Sequence, residues 1–501
     1  MKSPLALFRE LVGPAAVMAA GTMGAGAIAS FLLAGAWFRY DLLWVILLML
    51  PVFVVSADSA SRIGALNPDR GLFTLVRERI SPLLAWLILL VVVPVHFLVT
   101  MGQLSVMVSA GKALIALPAA AGSESMPIDI GLSLVLAVAT LWLLFSRGYS
   151  RLERIMTFLM VLMLLCFLVV GLRGLVEWRA VLTGFVPSLP PDLPLPDGGG
   201  MRVATSSIIA MVGAAIAPAA LLGLPYLSAD AGGSRRELDS AFRKAVINLG
   251  FVFGAYAMLV VVAGGFALFP LPGHAGLADV REASAVLRGV LPGSFSGLGP
   301  VVFTVGLFTA AMTTLVVAAQ VTTYFVLDLL GLDWRFTAGN RRFHVLLAVF
   351  VLGAAALAPL WDFPALLKVI LLMGINVVVI PVVYVIVIAL VNSRAVMRGV
   401  ATEPWRNAVL VLGLLAWVIR KAYPMFGKVQ GKIDDLNTVM QENLSGVRVI
   451  KAFVRASYEE KRFVAINDRL MDQTIGAVRT VALARPAVTL ALDAGVVAAV
   501  W

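Results

Sequence analysis

The sequence predicts an all-α integral membrane protein, in which two inverted sets of five spans form a helical bundle with a long helical C-terminal extension. Hydrophobic residues make up 61 % of the chain and charged residues 13 %, whereas soluble domains carry about a quarter charged residues. Apolar windows of membrane-spanning length recur along residues 11–392. Two of these windows are interrupted in their middle by glycine or proline. These observations favour a polytopic membrane protein over a soluble domain.

Ten apolar windows approach the ~20 residues that a spanning helix needs. Basic residues precede the first window and follow every even-numbered one, as Arg147, Arg151 and Arg154 do after the fourth. By the positive-inside rule, the N-terminus, residue 394 and the tail then lie on the cytoplasmic side of the cell membrane. The windows lie at about 11–36, 41–60, 82–110, 128–146, 155–175, 203–227, 246–270, 298–327, 343–361 and 364–392.

A loop rich in proline and glycine, residues 176–202, separates the ten windows into two sets of five. Because five is an odd number, the two sets enter the membrane in opposite senses, which is the geometry of an inverted repeat. The sequence therefore predicts a membrane core over 1–407, with repeats at 1–175 and 203–392.

Composition also excludes several classes of function. The chain has a net charge of +11, and many of its basic residues lie in short loops between apolar spans, so the positive-inside rule accounts for the charge better than a nucleic-acid partner does. The single cysteine, Cys166, cannot form an intrachain disulfide. The three histidines are too scattered for a histidine-based metal site. We expect a membrane transporter surrounded by lipid, not an enzyme, and no cofactor.

The two interruptions predict where a substrate binds. They lie at Gly21–Ala27 and at Gly213–Ala219. An unwound helix in lipid is tolerable only where its backbone faces protein, water or a solute, and paired breaks in inverted repeats point to a site at the bilayer midplane. The alternative is a close-packing surface of small residues. The predicted substrate-binding residues are Thr22, Gly24, Gly26, Ala27, Ala214, Ala217, Pro218 and Asn376.

Further polar groups lie near the centre of the predicted bundle. His96, within the third window, is a candidate proton relay because an ionisable group inside the bilayer is functional by default. Its position after Pro94 makes a structural role the alternative. Asp58 and Arg62 are expected to form an i, i+4 ion pair. Hydroxyl and amide groups that could face the site or only join helices are Ser30, Thr100, Gln103, Ser105, Thr309, Thr313 and Thr314.

Four informative strings are spread over about 10–415, namely Ala34–Phe38, Arg147–Glu153, Gly306–Ala311 and Ile380-Pro381. They resemble the Nramp family of proton-coupled divalent-metal transporters, which have the LeuT-type fold. The resemblance implies a LeuT-type five-plus-five inverted-repeat bundle, a divalent cation as substrate and coupling to protons.

The residues at the breaks differ from those of the family. Where the family has Asp-Pro-Gly-Asn, this chain has Gly24–Ala27, and where the family has Met-Pro-His it has Ala217–Ala219. The resemblance thus implies a metal transporter whose family ligands are replaced, and the metal-binding residues stay unknown. A neutral site also suits an amino acid or another small organic solute, because amides at a half-helix N-terminus can hold a carboxylate.

The chain changes character after the core. Residues 408–419 are apolar over about 18 Å of helix, which is too short to span. The strings Phe426–Gln430, Glu442–Phe453 and Glu460–Phe463 make residues 420–501 resemble the transmembrane domain of an ABC exporter. This resemblance implies a fused or fragmentary exporter component with an ATPase-domain partner. The chain has no Gly-x-x-x-x-Gly-Lys-Ser/Thr loop of its own, so it cannot bind ATP by that mechanism.

Overall fold

A computed structural model describes most of the chain. It covers residues 14–115, 126–145, 171–194, 201–229, 234–269, 297–361, 364–400 and 402–413, with short pieces within 158–168, 280–284 and 438–471. The described chain divides into two compact units. One comprises residues 1–391 with 395–400, and the other comprises 392–394 with 401–501. The predicted domain boundaries near 407 and 420 stay a prediction.

The first half of the larger unit is helical. A one-turn 3-10 helix, Leu175–Glu177, precedes the seventh α-helix. The helices are α1 (Pro14–Thr22), α2 (Ala25–Phe38), α3 (Leu43–Leu66), α4 (Leu72–Arg79), α5 (Pro82–Leu114), α6 (Met126–Phe145) and α7 (Trp178–Thr183).

The second half begins with a two-residue antiparallel pair, β1 (Leu193–Pro194) and β2 (Met201–Arg202). A π-helical segment, Val246–Val252, joins α10 to α11, and a 3-10 turn, Ala358–Leu360, follows α13. The helices are α8 (Ala204–Ala215), α9 (Pro218–Ser228), α10 (Arg235–Ala245), α11 (Phe253–Ala267), α12 (Leu298–Leu329), α13 (Arg341–Leu357), α14 (Ala365–Val391) and α15 (Arg394–Met397).

In the described part of the chain, seven helices are long and apolar enough to cross a membrane. They coincide with seven of the predicted windows, and the first and tenth windows are helical as well, as α1 with α2 and as α14. The fifth window lies mostly outside the described residues. The helical, multi-pass architecture predicted from the sequence is confirmed. The seven helices are Leu43–Leu66, Pro82–Leu114, Met126–Phe145, Ala204–Ser228, Arg236–Ala267, Leu298–Leu329 and Arg341–Leu360.

Glycine allows the helices around α2 to pack backbone to backbone. A Cβ at Gly35 would lie 2.2 Å from the carbonyl oxygen of Val261, and a Cβ at Gly264 would lie 2.3 Å from that of Leu32. Neither position can accept a side chain without separating α2 from α11. Small residues serve this purpose in membrane helices, where close van der Waals packing drives association.

A polar cluster joins the end of α2 to the segment before α7. The guanidinium of Arg39 and the hydroxyl of Tyr40 donate to the Glu177 carboxylate at 2.9 Å and 2.7 Å. These hydrogen bonds, that of Tyr40 foremost, lower the pKa of Glu177. The cluster therefore ties the loop between the repeats to the first repeat.

Candidate functional site

Both predicted interruptions are breaks in helical structure. The first separates α1 from α2 at Met23 and Gly24, where the backbone of Gly24 is extended (φ −70°, ψ 174°). The second separates α8 from α9, with Ala217 also extended (φ −66°, ψ 132°). Pro218 begins α9, where its missing N–H costs nothing. Each break leaves the carbonyl end of one half-helix and the amide end of the next near the middle of a span.

A small cavity of about 40 Å³ lies where the two breaks meet α5 and α12. A water molecule needs roughly 10–15 Å³ on this measure, so the cavity has room for about three waters or for a small ion that keeps part of its hydration. Its walls are mostly apolar. The lining residues are Met18, Gly21, Thr22, Gly24, Gly26, Ala27, His96, Val99, Gln103, Ala214, Ala217, Ala220, Thr314, Val317 and Ala318.

The structure brings most of the predicted site residues to this one cavity. Thr22, Gly24, Gly26, Ala27, Ala214 and Ala217 line it, and so does His96. Pro218 is buried at the start of α9 but is not among the lining residues. Asn376 belongs to α14, and its side chain lies outside the part that the structure describes. That these residues bind a substrate, and that His96 relays protons, stay predictions.

Thr314 of α12 holds the first break in place. Its hydroxyl donates to the carbonyl oxygen of Gly21 at 2.6 Å. A Cβ added at Gly24 would lie 1.7 Å from the same hydroxyl oxygen. Thr22 uses its hydroxyl within α1, where it donates to the carbonyl oxygens of Met18 and Ala19. The small residues at the first break thus pack closely and line the cavity at the same time.

The hydrogen bonds around His96 determine which of its two ring nitrogens carries the proton. Its Nδ1 lies 2.8 Å from the hydroxyl oxygen of Thr322, and that hydroxyl donates its single proton to the carbonyl of Ala318 at 2.7 Å. The hydroxyl must therefore accept from the imidazole, so Nδ1 carries the proton and Nε2 carries the lone pair. Nε2 is buried and has no hydrogen-bond partner among the described residues.

Gln103 is the functional candidate that the sequence alone did not single out. Its side chain is fully buried beside the cavity, and within the described structure neither its amide nitrogen nor its amide oxygen has a hydrogen-bond partner. Thr100, Ser105 and Thr313, by contrast, donate to carbonyls of their own helices. The spacing in the sequence could have indicated this residue, because Gln103 follows His96 by seven positions and therefore lies on the same face of the helix.

The donors at the cavity are neutral. Among the described residues, no group of three or more His, Cys, Asp or Glu side chains could hold a metal ion. The cavity offers one imidazole nitrogen, one side-chain amide, hydroxyls and the backbone groups of the helix ends. Such a set can bind a small cation through lone pairs or a carboxylate through amides.

A second, larger cavity of about 250 Å³ lies one helical turn further along α1 and α9. Ala15 and Leu224 line it, whereas Met18 and Ala220 line the first. Charged side chains face this second cavity, namely Asp58, Glu237 and Lys244. Asp58 also forms the predicted ion pair with Arg62, at 2.8 Å, which confirms that prediction.

Comparison with known families bears on both parts of the chain. The model of the Nramp family, described as natural resistance-associated macrophage protein-like, matches residues 15–426. The chain belongs to the Nramp family. Among its relatives is the divalent metal cation transporter MntH of Bradyrhizobium diazoefficiens, which is 25 % identical over 81 % of this chain and 86 % of the relative. MntH of Brucella suis is 25 % identical over 78 % of this chain and 82 % of the relative.

Solved structures show the same fold for this Nramp protein. A single-residue mutant of the manganese transporter of Eremococcus coleocola has a TM-score of 0.65 and 16 % identity, and the match covers 98 % of this chain and 97 % of the transporter. MhsT in complex with L-phenylalanine has a TM-score of 0.52 and 14 % identity, and the match covers 81 % of this chain and 97 % of MhsT. The family model thus confirms the predicted family, the solved structures confirm the predicted LeuT-type fold, and the chain is a multi-pass membrane protein of a transporter family.

The C-terminal part of this Nramp protein matches a different family. The model of the ABC transporter transmembrane region matches residues 364–501. The ABC transporter ATP-binding protein YfiB of Bacillus subtilis is 41 % identical over 93 residues. That match covers 19 % of this chain but only 16 % of YfiB. The predicted resemblance of the tail to the transmembrane domain of an ABC exporter is confirmed by this family model. The chain spans only a small part of the length of the ABC proteins that it matches.

Proposed function

We propose that this Nramp-family protein is a secondary transporter that moves a divalent metal cation through the cavity between the two helix breaks. The observation that carries the proposal is the convergence of both breaks on one small cavity with polar groups in its wall. Broken helices at the interface of inverted repeats are where such transporters bind their substrate. Two relatives named above are divalent metal cation transporters, and the structural neighbour from Eremococcus coleocola is a manganese transporter.

The size of the cavity supports an ion over an organic solute. A cavity of about 40 Å³ accommodates a partly hydrated cation, whereas ligand pockets for organic molecules commonly measure ~300–1,000 Å³. An amino acid would fit only after the helices around the breaks had separated.

We further propose that neutral groups replace the ligands of the family at this site. Gly24–Ala27 and Ala217–Ala219 contribute no charged side chain, so the carbonyl ends of α1 and α8 supply the negative potential. Such donors repay less of the ion's dehydration than carboxylates do. We therefore expect weak binding, which suits a site that must release its ion.

The larger cavity fits the role of a vestibule on the same route. It lies one helical turn from the first cavity along α1 and α9, and charged side chains of both signs line it. Because Asp58 is paired with Arg62 and Lys244 accompanies Glu237 in the lining, this cavity offers a polar, hydrated route rather than a negative charge that would concentrate cations. With the orientation that the basic loops predict, this vestibule opens toward the cytoplasm.

Reconstituted protein tests the proposal. Proteoliposomes loaded with a metal-sensitive dye are expected to take up Mn²⁺, Co²⁺ or Zn²⁺ faster than protein-free liposomes. A pH-sensitive dye in parallel vesicles measures the proton coupling that we propose from the family. If no divalent metal crosses or binds, the proposal of metal transport is wrong.

The second candidate is transport of an amino acid or another small organic solute. The observation that favours it is the start of α2, where the segment Ala25–Ala27 begins beside the cavity. A helix N-terminus of this kind can hold a carboxylate through its free amides. Uptake of radiolabelled amino acids into the same proteoliposomes, without metal uptake, would favour this alternative.

For the tail, we propose a fused or fragmentary transmembrane component of an ABC exporter, with an ATPase domain as its partner. The proposal rests on the match over residues 364–501. Sequencing reads that run without interruption across residues 415–425, and a neighbouring reading frame with a phosphate-binding loop, are the expected results. If the reads stop at this junction, the proposal for the tail is wrong, and the tail plays no part in the function of this protein.

A further inference from the structure

We infer that His96 binds the cargo ion directly through Nε2 and that the amide of Gln103 holds a water molecule that stays on the ion. This inference rests on the proposed transport of a divalent cation. It moves the ligands from the broken helices to α5, the third span. It also predicts the class of cargo, a divalent ion that accepts an imidazole nitrogen, such as Co²⁺, Ni²⁺, Cu²⁺ or Zn²⁺, in preference to Mg²⁺ or Ca²⁺.

The first step is the fixed tautomer of His96. The hydroxyl oxygen of Thr322 accepts a hydrogen bond from Nδ1–H, because the hydroxyl donates its own proton to the carbonyl of Ala318. This arrangement is the one that metal-binding histidines use, in which a partner on one nitrogen orients the ring and leaves the lone pair of the other for the metal. His96 is 2 % exposed, so the unpaired Nε2 is shielded from bulk solvent.

The second step is the cost of leaving these atoms without partners. A buried polar group without a hydrogen bond costs roughly 1–3 kcal/mol, and most buried polar groups are therefore paired. In the described structure, Gln103 leaves both of its amide atoms unpaired and His96 leaves Nε2 unpaired, and all three belong to residues that line one cavity. A bound ion would satisfy His96 Nε2, the water on the ion would donate to the amide oxygen of Gln103, and a second water in the cavity would accept from the amide nitrogen.

The third step is their spacing. Residues 96 and 103 lie seven positions apart on α5, on the same face and roughly 10 Å apart along the helix axis. Both side chains border the cavity, and their Cα atoms are too far apart for both side chains to bind one ion directly. An ion on His96 therefore reaches Gln103 through a water molecule, for which the cavity has room.

The fourth step is the choice of ion. Imidazole suits zinc, copper, iron and nickel, whereas carboxylates, carbonyls and water suit magnesium and calcium. With no acidic side chain among the residues that line the cavity, Mg²⁺ and Ca²⁺ gain little on leaving water. Discrimination against these ions is thus a property of α5.

Binding to the purified full-length chain in lipid nanodiscs tests the inference without relying on transport. Calorimetric titration is expected to give tighter binding for Co²⁺ and Zn²⁺ than for Mg²⁺. His96→Gln is expected to weaken Co²⁺ binding at least about tenfold, since metal sites lose 10–100-fold even when only a supporting partner is removed. Thr322→Val, which removes the acceptor for Nδ1, is expected to weaken binding to a smaller degree.

A spectroscopic measurement identifies the ligand itself. Electron spin echo modulation of bound Cu²⁺ is expected to show the remote nitrogen of an imidazole, and His96→Gln is expected to remove it. His344→Gln is the matched control, because His344 lies outside the cavity on α13 with its Nδ1 beside the carbonyl of Asn340. This control should keep the signal. His96→Asn serves as the second variant if His96→Gln does not fold.

Gln103 has its own pair of variants. Gln103→Leu is expected to weaken Co²⁺ binding several-fold, and Gln103→Glu is expected to raise the affinity for Mg²⁺ because it places a carboxylate at the cavity.

The outcomes separate this inference from the proposed function. If the wild-type protein transports a divalent metal and His96→Gln keeps both its affinity and the nitrogen signal, the inference is wrong and the proposed function stands. Equal affinity for Mg²⁺ and Co²⁺ would overturn the predicted class of cargo. If the wild-type protein neither binds nor transports any divalent metal, the proposed function fails and the inference fails with it.

Discussion

Replacing Gly24 with valine is expected to reduce transport roughly 100-fold, the scale of loss that a displacement of about 1 Å produces at a site. Even the first carbon of a side chain at this position would lie 1.7 Å from Oγ1 and 2.7 Å from Cβ of Thr314. The first break would then move away from α12, and Thr314 would lose its hydrogen bond to Gly21. Both the cavity and the carbonyl end of α1 would change.

Uptake into proteoliposomes measures this effect. Gly131→Val on α6 is the matched control, because a Cβ there meets no atom within 4 Å among the contacts of the described chain. The control should transport at the wild-type rate. Size-exclusion profiles show whether each variant is folded. Full activity of folded Gly24→Val would contradict the placement of the transport site at the breaks.

A double variant tests the cause of the loss. Thr314→Gly removes the three atoms nearest to the added carbon. Gly24→Ala alone is expected to lose transport, and Gly24→Ala with Thr314→Gly is expected to recover part of it. If the double variant is no better than Gly24→Ala, the loss does not come from this contact.

The location of the candidate site could be predicted from the sequence because helix breaks have a local cause. Glycine at 24 and proline at 218 weaken the helix at their own positions, although a proline such as Pro94 also lies inside α5, and the lengths of the apolar windows place both interruptions at mid-span. The lining of the cavity by Gly26, Ala27 and Ala214 follows from that position. The spans themselves were predictable for the same reason, since twenty apolar residues carry their signal within one segment.

The polar partners could not be predicted, because they lie far apart in the sequence. His96 finds Thr322 across 226 residues, and no local pattern indicates which hydroxyl an imidazole will meet. Gln103 was one of many polar residues near the centre. Only the structure separates it from Thr100, which bonds to its own helix. The short helix α4 is a further example, since its first turn depends on a carboxylate from α12.

That carboxylate belongs to Asp328, and Asp328→Ala is expected to be among the most destabilising changes in the chain. Asp328 is 2 % exposed. Its Oδ2 accepts from the hydroxyl of Tyr226 at 2.6 Å and from the backbone N–H groups of Phe73 and Thr74 at 2.8 Å and 3.2 Å. Its Oδ1 accepts from the hydroxyl of Thr74 at 2.6 Å. One side chain thus joins α12 to α9 and to the N-terminus of α4.

The charge of Asp328 suits this position. A carboxylate at a helix N-terminus interacts favourably with the helix dipole and satisfies amides that have no partner within the helix. Gly71, just before α4, allows the approach, because a Cβ there would lie 2.1 Å from Oδ2 of Asp328. Alanine at 328 would leave buried donors on α9 and α4 unpaired, at roughly 1–3 kcal/mol for each.

We therefore expect Asp328→Ala to lower the stability by about 3 kcal/mol or more, since it leaves several buried neutral donors without an acceptor at roughly 1–3 kcal/mol for each. Thermal unfolding in detergent, followed by intrinsic fluorescence, measures the change. Asp328→Asn keeps an acceptor and should fall between alanine and wild type. The matched control is Asp69→Ala, whose carboxylate pairs with Arg335 at 3.1 Å but is 81 % exposed, so its loss should cost at most about 1 kcal/mol. Equal unfolding temperatures for Asp328→Ala and Asp69→Ala would contradict the role of Asp328, because only the buried carboxylate joins three helices and only its removal leaves their donors unpaired.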